Sequence, residues 1–124
     1  MKLLVTLLLL SVSPGYAQTN QTPEKEFTIV LSDENITLVR GEHKTVEIKI
    51  LKSKAYQKGK IKMGVSSALP KGLTLSFDPE TGNTDTTIAT ITTLADATPG
   101  IYNVIVNATV NYKTKGSILK ITVE

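Results

Sequence analysis

The chain has 124 residues, enough for one domain with a core of its own. Its formal charge of +3 is too small to imply nucleic-acid binding by itself. It carries no cysteine and a single histidine, so disulfides are excluded and zinc or copper sites lack ligands.

The N-terminus reads as an export signal. Lys2 is a short positive start, Leu3 to Val12 is apolar apart from Thr6 and Ser11, and Ser13-Pro14-Gly15 breaks any helix. Gly15 and Ala17 put small residues three and one positions before a cut, so residues 1–17 are expected to be a signal peptide removed after Ala17. The apolar run is about half the length a spanning helix needs. No cysteine follows it, which rules out a lipid-anchored lipoprotein, and no later stretch could span a bilayer as a helix. Residues 18–26 are polar and hold a proline, and are expected to be a flexible leader. The protein is therefore expected to be exported and periplasmic, extracellular or attached to the cell surface.

From Phe27 the apolar residues recur with period two between turn residues. Thr, Val and Ile dominate, as suits half-buried strands. The expected strands are Phe27 to Leu31, with Ile36 to Val39 continuing it along the edge, then Thr45 to Lys52, Lys60 to Ser66 and Leu73 to Phe77. Asp85 to Leu94, Ile101 to Val110 and Ser117 to Val123 complete the set. Val46, Ile48 and Ile50 point one way while Glu47 and Lys49 point the other. About seven strands of this length and spacing indicate an all-β, two-sheet antiparallel sandwich over residues 27–124. A flat meander or small barrel is the alternative.

Several segments carry a resemblance. Gly59-Lys60-Ile61-Lys62-Met63-Gly64-Val65-Ser66, followed by Leu69-Pro70-Lys71-Gly72-Leu73-Thr74-Leu75-Ser76-Phe77-Asp78-Pro79, resembles the pattern G-x-V-x-L-x-V-S … L-P-x-G-V-x-x-S-F-x-P. Thr98-Pro99-Gly100-Ile101-Tyr102-Asn103-Val104-Ile105-Val106 is similar to P-P-G-T-Y-x-V-x-V, and Leu119-Lys120-Ile121-Thr122-Val123 to a closing L-x-L-x-V. These are marks of the bacterial immunoglobulin-like module of secreted and cell-surface proteins. The resemblance spans residues 27–124 and implies an immunoglobulin-like sandwich. It also implies a spacer, stabilising or adhesion role, although the module is expected to stand alone, without an enzyme, sorting domain or second repeat beside it to serve. Within the motif, Pro99-Gly100 makes a tight turn between sheets, and Tyr102 can bury its ring and bond its hydroxyl back to the chain.

No pattern of residues suggests catalysis. His43 lies in the turn Gly41-Glu42-His43-Lys44 without a nucleophile elbow and is expected in solvent. There is no glycine-rich phosphate loop, and no cofactor is expected. Asp78, Glu80 and Asp85 fall in one loop and are weak calcium candidates, though their spacing is not that of an EF-hand. The sequons at Asn35 and Asn107 are read as incidental. Lysines crowd residues 44–62, while none occur from Gly72 to Tyr112, so the charge is polarised. Solvated hairpin faces are one explanation. The other is a binding loop in which Lys52, Lys54, Lys58 and Lys60 surround Tyr56, suited to an anionic glycan or a phospholipid headgroup. The expected function is that of a secreted, non-catalytic structural or interaction module whose partner is an envelope protein. The alternative is a binder of anionic polysaccharide through that loop.

Overall fold

The structure is a computed structural model that describes residues 25–124. The expected signal peptide and most of the expected leader lie outside the described residues. Nine strands form two sheets among those residues. In chain order they are β1 (Phe27–Leu31), β2 (Asn35–Leu38), β3 (His43–Lys52), β4 (Ile61–Val65), β5 (Leu73–Asp78), β6 (Thr81–Gly82), β7 (Thr86–Thr93), β8 (Gly100–Val110) and β9 (Lys113–Val123). One 3-10 turn, Lys54–Tyr56, follows β3. The first sheet has the order β1-β3-β7-β5 and the second β2-β9-β8-β4-β6.

Period-two alternation decides which side chains meet between the sheets. Val46, Ile48 and Ile50 of β3, and Ala89 and Ile91 of β7, are buried from one side. Val104, Val106, Ala108 and Val110 of β8, with Leu119, Ile121 and Val123 of β9, close on them from the other. Ile61 and Met63 of β4 and Phe27 of β1 complete the core. The inner face of threonine-rich β7 also carries Thr87 and Thr93, which are buried and satisfied. Thr87 Oγ1 donates to the Pro79 carbonyl at 2.7 Å, and Thr93 Oγ1 to the Glu42 carbonyl at 2.9 Å.

Three sequence-based expectations are corrected. Ile36 to Val39 does not continue the first strand along its edge. After Leu31 the chain crosses to the other sheet, where β2 runs parallel to β9 with Ile36 opposite Ile121 and Leu38 opposite Val123. Ser32 makes the crossing orderly: its N–H donates to the Glu47 carbonyl at 2.8 Å and its hydroxyl accepts from Glu47 N–H at 2.9 Å. Burying Ile36 and Leu38 at the free edge of β9 drives the switch. The sandwich is thus not wholly antiparallel. It also has more strands than the expected seven, because β2 stands alone and β6 adds a two-residue bridge to β4.

Antiparallel pairing fixes what shares each end. Phe27 opposite Lys52, Ile61 opposite Val110 and Val110 opposite Lys113 bring the start of β1, the β3–β4 connection and the β8–β9 hairpin to one end.

Candidate functional site

The expected lysine loop divides once folded. Lys52 has the same inward parity as Ile48 and Ile50, and it is buried, its side chain 2 % exposed. Its ammonium donates to the carbonyls of Gly59 at 2.7 Å and Thr84 at 3.2 Å, and lies 3.3 Å from an Asp85 carboxylate oxygen. Two carbonyls and a carboxylate thus engage the buried ammonium, so Lys52 clamps two connections to the end of β3 and is turned away from any surface ligand. Tyr56 is half-buried. Its ring packs on Phe27 at a centroid distance of 6.1 Å, tilted by 42°. It is held there by the turn that follows β3, in which Tyr56 N–H donates to the Ser53 carbonyl at 2.9 Å. Of the five residues, Lys54, Lys58 and Lys60 remain exposed.

The β8–β9 hairpin adds to this surface. Gly59 lets the loop lie against it: a Cβ there would fall 2.6 Å from both Asn111 Oδ1 and Val110 Cγ1. The hairpin turns on Asn111 (φ +50°) and Tyr112 (φ +65°). A two-residue turn with both residues left-handed matches the twist of the strands and favours Asn-Gly. Asn111 suits its place, but Tyr112 stands where glycine is preferred, at a cost of about 1–2 kcal/mol. It receives no packing in return, since Tyr112 is wholly exposed. On the neighbouring strand Lys62, opposite Thr109, is exposed as well. Among the described residues, Lys54, Lys58, Lys60 and Lys62 have no carboxylate within ion-pair distance, whereas Lys113 and Lys115 both pair with Glu26, at 3.3 and 2.8 Å.

Glu26 was expected in the flexible leader, yet it is tied at the sandwich end. Its carbonyl also accepts from Ser53 N–H at 2.8 Å. Hydrogen bonds from Lys115 first, then Lys113, hold its carboxyl below the ordinary 4.5. Lys115 reaches Glu26 across Phe27, its ammonium 5.6 Å from the ring centroid, so its stem covers the open end of the core.

The calcium candidates do not converge. Among the described residues no three His, Cys, Asp or Glu side chains gather as a metal site requires. Asp78 sits opposite Ile88, Glu80 uses its carbonyl to accept from Met63 N–H, and Asp85 is engaged by Lys52. His43 begins β3 and is exposed. Asn35 is exposed on β2, and Asn107 donates to Ser66 Oγ. At the opposite end Gly100 begins β8 and Pro99 is exposed. Tyr102 is half-buried and its hydroxyl donates to the Thr98 carbonyl at 2.7 Å. A surface hollow of about 540 Å³ spans the paired strands β1 and β3, lined by Ile29, Val30, Leu31, Glu34, Glu47 and Lys49. No helix among the described residues is long and apolar enough to cross a membrane.

Sequence reasoning missed Tyr112. The signal was present, because Asn111-Tyr112 separates two alternating runs. Starting the last strand at Ser117 hid it, whereas β9 starts at Lys113.

Comparison with known proteins gives no family. No protein-family model matches the chain, and no curated protein matches it. Among solved structures it is similar to part of a family 123 glycoside hydrolase from Clostridium perfringens, studied for glycolipid glycan hydrolysis, with a TM-score of 0.49 and 12 % identity. The match covers 81 % of this chain and 27 % of that one, so the chain spans about a quarter of the hydrolase's length.

Proposed function

We propose that this chain is an exported, non-catalytic interaction module of the immunoglobulin-like type, acting at the cell envelope. The observation that carries the fold reading is the strand order. β1-β3-β7-β5 facing β9-β8-β4 corresponds to the two sheets of a constant-type immunoglobulin domain, and the Tyr102 bond to Thr98 corresponds to its tyrosine corner. An interaction role is supported by the open edge of β1, which can accept a strand from another protein. Mature protein recovered from the exporting cell should begin at Gln18 by intact mass, and should capture an envelope protein by crosslinking. Chains that start at Met1, or that stay in the cytoplasm, would overturn the proposal.

A second reading, binding of an anionic glycan, is favoured by the exposure of Lys54, Lys58, Lys60 and Lys62 at the same end as the Asn111-Tyr112 turn, against which Gly59 packs. Retention by an acidic but not a neutral polysaccharide tests it.

A further inference from the structure

We propose that the basic end is a composite site for an acidic polysaccharide, in which Tyr112 stacks on a sugar face and Lys54, Lys58, Lys60 and Lys62 meet carboxylates. The inference rests on the second reading above and moves its centre from Tyr56 to the hairpin. Two independent observations carry it.

The first is Tyr112 itself. A bulky residue with positive φ is an outlier, and such strain concentrates at functional sites. Here the strained side chain touches nothing in the fold, so folding does not explain it. A tyrosine ring on a hairpin tip presents flat apolar area, and with only two side-chain torsions it loses little entropy on binding.

The second is the chemistry of the charges. Two separate chain segments, the β3–β4 connection and the β8–β9 hairpin, are packed together by Gly59. The positive charges at this end are all lysine, with no arginine among them. Lysine is a flexible point charge, without the planar fork that matches phosphate bidentately. Such a rim suits carboxylates dispersed along a flexible polymer. A membrane fits less well, because interfacial insertion needs several apolar side chains, and Val39, Leu94 and Ile101 lie toward the other end.

The probe is polygalacturonate, with its methyl-esterified form as a neutral polymer of the same sugar faces. Wild-type protein should be retained by the acidic polymer at low salt, released as salt rises, and ignored by the ester. Tyr112→Gly should bind roughly tenfold more weakly at fixed salt. It should melt at the same or a higher temperature, because glycine relieves the turn. Lys54→Glu with Lys58→Glu should abolish retention without changing the melting temperature. Equal binding by Tyr112→Gly and wild type overturns the proposal, as does equal binding of the ester. Binding to phosphatidylglycerol vesicles without binding to polygalacturonate overturns it too. Failure on every polymer sinks this site but leaves the envelope-protein crosslink free to succeed. New reducing ends released from the polymer would instead sink the non-catalytic reading.

Discussion

Glu26 sits between two ammonium groups, and its contribution to stability has a definite sign. Its folded carboxyl is held below 4.5 by Lys115 and Lys113, so the unfolded chain takes up that proton first as pH falls. The stabilisation is complete above pH 4.5 and is lost as pH drops through the lowered folded value. Melting curves of Glu26→Gln and wild type should therefore differ at neutral pH and converge in acid. A constant gap would mean that the contact is not an ion pair. Lys52 behaves differently from its exposed neighbours. Lys52→Ala should cost about 2 kcal/mol, because the Gly59 and Thr84 carbonyls lose their donor. Lys54→Ala and Lys58→Ala should each stay within about 0.5 kcal/mol. Equal denaturant midpoints for all three would show Lys52 to be solvated. The sequence hid this difference. Parity along β3 does place Lys52 inward, but a lysine run reads as solvent-facing unless the carbonyls that satisfy a buried ammonium are known. Those carbonyls come from residues 7 and 32 positions away.

At the scale of single strands, alternation alone assigns most inward faces. In β8, Val106 is fully buried and Ile105 is on the outer face, 39 % exposed, opposite Ile118. Val106→Asp should unfold the domain, since it buries an unpaired charge, whereas Ile105→Asp should cost about 1 kcal/mol or less. Similar melting of the two variants would mean that the strand register is shifted by one residue. The alternation of β3, β4 and β9 was equally legible, because each has one wet face. What alternation cannot give is the partner. Ile36 and Leu38 alternate as well on an edge of the first sheet as beside β9, and nothing local to residues 35–38 selects the parallel pairing. The choice depends on the free edge of β9, more than eighty residues away. Tyr112 was only half legible: Asn111-Tyr112 between two alternating runs marks a turn, but the left-handed dihedrals that set the ring out at the tip belong to the folded backbone.

Across the whole molecule the charge is separated more sharply than the net value suggests. One end gathers Lys25, Lys52, Lys54, Lys58, Lys60, Lys62, Lys113 and Lys115 against Glu26, Asp78, Glu80 and Asp85, and Lys52, Glu26 and Asp85 are already engaged with partners. Toward the other end Arg40, Lys44 and Lys71 face Glu42, Asp96 and Glu124, and are balanced. Uneven spacing of lysine in the sequence suggested polarity, but the fold was needed to add residues 113–115 to residues 54–62. A concentrated patch attracts an oppositely charged surface even when the molecule as a whole is near neutral, because its field is felt within about a Debye length, ~8 Å at physiological salt. Two double variants separate distribution from net charge. Lys54→Glu with Lys58→Glu, and Lys44→Glu with Lys71→Glu, each replace two positive charges by two negative ones. Each therefore lowers the formal +3 of the full sequence to −1, or to −2 where cleavage after Ala17 removes Lys2. Lys71 pairs with Asp96 only at the surface, at 3.8 Å, so losing it costs little. On a sulfonated resin at low salt, the Lys44/Lys71 variant should still be retained through its intact basic end, while the Lys54/Lys58 variant should flow through. Equal elution of the two would mean that net charge alone governs attraction, and that the lysines around the hairpin act as a solvated face and not as a patch.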